Sequence, residues 1–257
     1  MWTEQVNAMN ILYTEASLGI SGQELQALSQ IEALIQAGHQ VILACRKNSR
    51  IACEAASLGI RTTYVPFTNS LHIPSVITLR RLIVAFRPDI VICHSDLDSN
   101  ITALTRAFLR GPDRYFCIIR QKTYLPQKIE MFPLNHMCDV VVVPTTEIQS
   151  RLIHEKCIQP VVVVPPGIDF SVLRRQAEMA LPVHVEAWLN NRPPAPVIVQ
   201  VAMICPDKGH HFLLNVLHSL RQKGLRFYWL IAGSGCRKDE ERLQAEIKYL
   251  DMEDCVL

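Results

Sequence analysis

Apolar residues recur along this chain in runs of about four to six, and between the runs they return at helical spacing. Residues 9–14, 41–45, 62–66, 89–93, 115–120, 140–143 and 161–164 each read as a strand. Over residues 22–37 the pattern puts Leu25, Leu28, Ile31, Leu34 and Ile35 on one helical face, and Gly38 is suited to end that helix. Further helices are expected near 49–58 (closed by Gly59), from Pro74 to about Phe86, over 96–110 before Gly111, and over 146–157. Strands alternating with helices predict a parallel sheet covered on both faces. The class is α/β.

The rhythm lapses from Phe170 to about Ala195, where Pro182, Pro193 and Pro194 fall, and then restarts. A strand at 197–202, a helix at 208–223, a strand at 226–232 and a charged helix at 237–249 follow. The expected organisation is a Rossmann-like doubly wound domain over 1–169, an interdomain linker over 170–195 and a second Rossmann-like domain over 196–257. That last domain is expected to be truncated, with an unpaired sheet edge near 254–257 and exposed apolar surface from 197–201 and 227–231.

Composition narrows the class. With 49% hydrophobic and 19% charged residues, intrinsic disorder is excluded. The apolar runs are far shorter than the ~18 residues a membrane helix needs. Residues 1–5 (Met-Trp-Thr-Glu-Gln) lack the basic start of a signal peptide, so a cytoplasmic location is expected. None of the nine cysteines shows C-x-x-C spacing, which points to reduced, buried thiols and to no metal site.

The net charge of +2 conceals an asymmetry: residues 44–128 carry thirteen Lys/Arg against five acids, a local +8. Such an excess suits an anionic partner, either a phosphorylated or acidic acceptor or an acidic membrane surface, although a merely solvated basic face fits as well. Nucleic acid is disfavoured, because no aromatic-rich binding pattern accompanies the charge. Within this stretch, residues 73–86 intersperse apolar residues with Arg80 and Arg81, the pattern of an amphipathic helix able to touch a membrane or to pack in a core.

In doubly wound sheets ligands bind beyond the carboxyl ends of the strands, so the residues after each strand are the candidates. Gly22, opening the first helix, allows close backbone approach to a phosphate or simply a tight turn. His94 follows the fourth strand, where imidazole can bond a sugar or exchange a proton, or cap the next helix. Lys208 and Gly209 stand at the start of a later helix, where a cation adds to the helix dipole for a diphosphate. Gly233 and Gly235 offer another close approach.

Six stretches combine these residues: ILYTEASLGISGQE (11–24), AGHQVILA (37–44), PDIVICHS (88–95), VVPPGID (163–169), IVQVAMICPDKG (198–209) and LIAGSG (230–235). In this order they resemble the retaining GT-B glycosyltransferases of family 4, including members acting in lipopolysaccharide and other cell-surface glycan assembly. The resemblance implies two Rossmann-like domains, a nucleotide-diphosphate sugar as donor, a cell-surface glycan precursor as acceptor, and no cofactor or metal. Its location would be the cytoplasm or the inner face of the membrane. Carried over by residue, Gly22 approaches the donor diphosphate and His94 is the catalytic residue beside the transferred sugar. Lys208 and Gly209 bind the leaving diphosphate, Gly233 and Gly235 line the donor pocket, and Ser21 and Arg120 serve the acceptor.

Two departures stand out. Met203, Ile204 and Cys205 occupy the loop where the family often has an arginine, and the family's downstream acidic motif has no counterpart. Weak donor binding is therefore expected, with a truncated, inactive fragment or binding module as the alternative reading. A sugar-nucleotide epimerase is a further alternative, and a dehydrogenase is disfavoured by the missing dinucleotide fingerprint.

Overall fold

A computed structural model describes residues 7–126, 128–168 and 170–257. Residues 1–5 and Asp169, both used above, lie outside the described residues. Two compact units emerge, Met1–Ile168 and Asp169–Leu257.

The first unit is built on seven parallel strands: β1 (Asn10–Glu15), β2 (Gln40–Cys45), β3 (Thr62–Tyr64), β4 (Ile90–Cys93), β5 (Cys117–Gln121), β6 (Val140–Val143) and β7 (Val161–Val163). Their order across the sheet is β3-β2-β1-β4-β5-β6-β7. The helices are α1 (Gly22–Gln36), α2 (Arg50–Ser57), α3 (Ile73–Phe86), α4 (Asp96–Ala107), α5 (Met131–His136) and α6 (Thr146–His154). Successive strand residues point to opposite faces, and both faces are apolar. Ile11, Tyr13, Val41 and Leu43 join Leu28, Ile31, Ile51 and Ala55 of α1 and α2 in one core layer. Leu12, Ile42 and Val91 join Val76, Leu79, Ile83 and Ile101 of α3 and α4 in the other. This is the doubly wound sheet that the alternating pattern predicts, with β1 and β4 at its centre.

The helix ends follow local chemistry. Gly38 takes a positive φ of 92° just beyond α1, and Ser95 and Thr145 accept hydrogen bonds from the third residue of α4 and α6. Several expectations need correction. Leu25 and Ile35 of α1 are exposed, because the helix buries the narrower arc of Glu24, Ala27, Leu28 and Ile31. Helix α5 was not anticipated; its Pro133 stands at the third position, within the first turn, where a backbone N–H has no intrahelical partner to lose. The basic excess is divided: Arg61, Arg87, Arg110 and Arg114 precede strands at one edge of the sheet, while Arg46, Lys47, Arg120 and Lys122 lie at the other. Of the nine cysteines, all free, Cys45, Cys93, Cys138 and Cys255 are buried, but Cys53 and Cys236 are exposed.

In the second unit, residues read as a linker form α7 (Phe170–Ala177) and α8 (Val183–Asn190). Trp188 of α8 meets Tyr228 edge-on at 5.4 Å, and the Arg192 guanidinium lies 3.9 Å over the Trp188 ring. Strands β8 (Val197–Val201) and β9 (Tyr228–Ala232) pair in parallel, with α9 (His210–Gln222) and α10 (Arg237–Tyr249) alongside. The outer valines of β8 are exposed as expected. Phe227, Tyr228 and Trp229 are not: they are buried with Leu214 and Leu217 of α9 and Leu243 of α10. Residues 255–257 run along the far side of β9, where the Trp229 N–H donates to the Cys255 carbonyl (2.7 Å) and the Leu257 N–H to that of Trp229 (2.9 Å).

Candidate active site

At the carboxyl edge of the first sheet, β1 and β4 are direct neighbours, with Thr14 opposite Cys93. The residues that follow, Glu15 and His94, therefore emerge side by side. Their side chains are each 1% exposed, and His94 Nδ1 lies 3.6 Å from Glu15 Oε2. The imidazole also meets the Tyr13 ring edge-on at 5.7 Å. Gln23 of α1 covers the pair, its amide 3.5 Å from both Glu15 Oε2 and the His94 carbonyl oxygen. Burial, reinforced by the Asp98 charge, pushes the Glu15 carboxyl up to about 7. Burial and the Arg120 charge lower the imidazole to about 4.

Asp98, fully buried in the first turn of α4, ties this edge together. Its carboxylate accepts from the Thr14 hydroxyl (3.0 Å), the His94 N–H (3.1 Å), the Ser95 N–H and hydroxyl (both 2.7 Å) and the Ser99 N–H (2.9 Å). Arg120 is also buried. It donates to the carbonyls of Cys93 (3.3 Å) and Gln121 (2.8 Å) and to Asp96 (3.0 Å). Lys122 joins it on Asp96 at 3.3 Å. Although partial burial pushes the Asp96 carboxyl up, these two cations hold it below its ordinary value. Gln23, His94, Ser95, Asp96, Arg120 and Lys122 are among the residues around a recess of about 140 Å³.

The predicted residues thus fare differently. His94, expected to stand open beyond its strand, is buried at the recess, where Tyr13, Glu15 and Gln23 surround it and its N–H donates to Asp98. The Arg120 guanidinium, expected to meet an acceptor, is engaged with backbone carbonyls and Asp96. Ser21 is the N-cap of α1, its N–H and hydroxyl donating to Glu24 Oε2 at 2.7 and 2.5 Å. Gly22 has no atom within 4 Å of where a Cβ would stand. No packing need therefore accounts for glycine at this position. Glu15, Gln23, Glu24, Asp96 and Asp98 were not singled out from the sequence. Two of them had a local signal, since Ser21-x-x-Glu24 and Ser95-x-x-Asp98 are capping-box spacings at helix starts.

In the second unit, Lys208 is exposed at the end of a short 3₁₀ turn, and Gly209, with φ 73°, leads into α9. Gly233 and Gly235 make their close approach to this chain's own backbone. A Cβ at 233 would stand 1.9 Å from the Ala202 carbonyl oxygen, and one at 235 would stand 2.2 Å from that of Ile204. The loops after β8 and β9 therefore run in contact, joined by the Ile204 N–H to the Ser234 carbonyl (3.0 Å). Among the described residues no group of three His, Cys, Asp or Glu could hold a metal, and no helix is long and apolar enough to cross a membrane.

Comparison with known proteins bears on this geometry. The model of the family described as Glycosyltransferase Family 4 matches residues 20–172, more than half of the chain. No curated protein matches it in sequence. Among solved structures, a glycosyltransferase from Rickettsia africae superposes with a TM-score of 0.77 at 19% identity, covering 98% of this chain and 68% of that one. HepE of Anabaena, solved with UDP and glucose, gives 0.72 at 14% identity over 97% and 68%. Sucrose-phosphate synthase from Thermosynechococcus elongatus gives 0.71 at 15% over 97% and 69%. At such identities the likeness is one of fold, and that fold is the GT-B fold of glycosyltransferases.

Proposed function

This chain belongs to glycosyltransferase family 4, and on that premise we propose that it transfers a sugar from a nucleotide-diphosphate donor to a cell-surface glycan precursor such as that of lipopolysaccharide, with retention at the anomeric carbon. The observation that carries the reading is the carboxyl edge of the first sheet. There an open Gly22 and a buried His94 at a polar recess both fall within the family-matched residues 20–172. A uridine diphosphate sugar is the donor class, in keeping with the UDP and glucose held by HepE. Transfer separates positive charge at the anomeric carbon from negative charge on the departing diphosphate. Lys208 and the first turn of α9 supply a cation and backbone N–H groups for that diphosphate. One well-aimed donor of this kind is worth ~3–4 kcal/mol in the transition state. Within the first unit, Gly22 leaves the start of α1 open to a phosphate group and His94 serves the transferred sugar; within the second, the loop carrying Gly233 and Gly235 serves the donor. Residues 1–169 and 196–257 act as the acceptor and donor sides.

Calorimetric titration with UDP-glucose, and with GDP-mannose for comparison, tests donor binding; release of the nucleoside diphosphate in the presence of a lipid-linked acceptor tests transfer. Donor-dependent heat that Lys208→Ala abolishes is the expected result. Absence of heat with either donor, or conversion of the sugar nucleotide to an epimer without transfer, would overturn the reading. Gly22→Ala separates ligand contact from folding. The methyl meets nothing and alanine is the better helix former by about 0.5–1 kcal/mol, so stability should hold or rise slightly. Donor affinity should nevertheless fall, by about tenfold, if a diphosphate packs on that backbone.

For the acceptor we propose an anionic glycolipid reached at the inner membrane face. Outward on α3 stand Ile73, Ile77 and Val84 together with the exposed Arg80 and Arg81, and Leu71 lies just before the helix. Apolar side chains flanked by two cations suit the boundary of an anionic leaflet. Sedimentation with vesicles of phosphatidylglycerol should carry the protein down, and vesicles of phosphatidylcholine alone should not. Arg80→Glu with Arg81→Glu should abolish the difference. Equal behaviour with both vesicles removes the membrane part of the proposal and leaves the transferase part standing.

A further inference from the structure

Glu15 and His94 leave the sheet on adjacent strands, turned to the α1 side with Tyr13. Nδ1 of His94 and Oε2 of Glu15 are 3.6 Å apart, neither ring nitrogen reaches hydrogen-bond geometry among the described residues, and the Gln121 side chain is the other polar group that bears on the ring. A neutral imidazole carries one N–H and one bare nitrogen, and which is which depends on what its neighbour offers. Glu15 is the acid placed to decide this. One of its oxygens is held by the Ser17 N–H at 2.9 Å, and the other faces both Gln23 and His94 Nδ1.

Resting on the transferase reading for its role in the reaction, we propose that Glu15 is a positioning residue whose ionisation selects the tautomer of His94. With Glu15 protonated, its hydroxyl donates to bare Nδ1, so Nε2 carries the ring proton and is a donor. When Glu15 loses that proton to water, its carboxylate accepts from Nδ1–H. The single ring proton then resides on Nδ1 and Nε2 becomes an acceptor. The change releases one proton in total, and the imidazole stays neutral throughout. Nε2 of His94, buried at the wall of the recess, would thereby change from donor to acceptor, which makes Glu15 a determinant of what that wall offers the transferred sugar.

The surroundings support a transition near neutrality. Burial, the Asp98 charge on α4 and then Glu24 on α1 favour protonated Glu15, while bonds from Ser17 and Gln23 oppose it; burial pushes the Asp98 carboxyl up as well, against the Arg120 charge and the bonds from Ser95 and His94. The imidazole is kept from charging by burial and by Arg120 on β5, against Glu24 and Gln121. Tyr13 is itself pushed far up by burial and stays neutral. Cys45 on β2, pushed up to about 11 by burial, adds no charge in this range. Lys122 and Asp96, at the recess, pair with one another, burial and the Arg120 charge pushing the Lys122 amine down.

Nitrogen NMR of the full chain labelled at histidine reads the tautomer without any substrate. The His94 signals are assigned by their loss in His94→Gln. From about pH 5.5 to about pH 8.5 the ring proton should pass from Nε2 to Nδ1, inverting the tautomer ratio. In Glu15→Gln, which cannot ionise, the ratio should stay constant across the range. The pH profile of kcat/KM should lose the matching inflection while transfer persists. A wild-type ratio that does not move with pH, or one that still inverts in Glu15→Gln, would overturn the proposal. The wild-type titration alone tests the switch, so the outcome does not hang on the folding of the variant. An inverting ratio in a protein that transfers no sugar would leave the tautomer switch intact and reject only the transferase reading.

Discussion

Replacing Asp98 with alanine should cost the first unit about 3–5 kcal/mol, a large part of the ~5–15 kcal/mol that holds a typical domain folded. The carboxylate is fully buried and serves the Thr14 hydroxyl, the Ser95 hydroxyl and the backbone N–H groups of His94, Ser95 and Ser99. Alanine leaves those donors facing no acceptor, and each unsatisfied buried group costs about 1–3 kcal/mol, not additively. Asp98→Asn should fall between. Its carbonyl oxygen can still serve Ser95 and Ser99, but its amide then confronts the His94 N–H. Tryptophan fluorescence is the wrong probe here, because Trp188 and Trp229 both belong to the second unit and Trp2 lies outside the described residues. Urea titration followed by far-ultraviolet circular dichroism should show a transition moved to lower urea. An unmoved midpoint for Asp98→Ala would mean that the carboxylate is not the tie it looks to be.

Gly233→Ala should be the most damaging single methyl in the second unit. The added carbon would stand 1.9 Å from the Ala202 carbonyl oxygen and 2.8 Å from its carbon, and backbone cannot swing aside as a side chain can. Relief requires the loops after β8 and β9 to separate, which strains the bonds from Ala202 to Ala232 (3.1 Å) and from Ile204 to Ser234 (3.0 Å). Overpacking typically costs about 1–3 kcal/mol, and a clash with main chain belongs at or above the top of that range. Trp229, wholly buried in this unit, is the reporter: its emission should shift to the red at lower urea than in the parent. Gly22→Ala is the control, since that methyl meets open space. Equal midpoints for the two alanine variants would show that residues 202–204 are free to yield.

The sheet was readable because its physics is local. A run of β-branched residues between polar breaks reads as a strand whatever surrounds it, and Gly38 and Gly59, both at positive φ, mark helix ends by steric necessity. What escaped depends on partners distant in sequence. Leu25 fits the helical spacing of α1, yet it is exposed, because spacing gives the width of an apolar arc and not the portion the sheet covers. Helix α5 was hidden by Pro133, which reads as a breaker unless the helix start is already known. At the edge of the sheet, the position of His94 after β4 was legible, but its burial was not. Burial arises from Tyr13, Glu15 and Gln23, roughly seventy to eighty residues away in the chain. Glycine identity at 233 and 235 signalled a close approach without saying to what, and the backbone at 202–204 answers that.

The strand order β3-β2-β1-β4-β5-β6-β7 has a consequence for assembly as the chain leaves the ribosome. β1 and β2 pair first, and β3 adds to the open side of β2. β4 then takes the free side of β1, and β5, β6 and β7 extend that side one after another. Each strand of the first unit after β1 finds a partner already made, the free side of β1 stays open until β4, and none must be inserted between two strands already joined. Each connection brings a helix that covers fresh apolar surface as it forms. Once β4 has joined, growth outward from β1 leaves only the short β3 and the newest strand as sheet edges, a condition that limits wrong pairing of a nascent parallel sheet with its neighbours on the polysome.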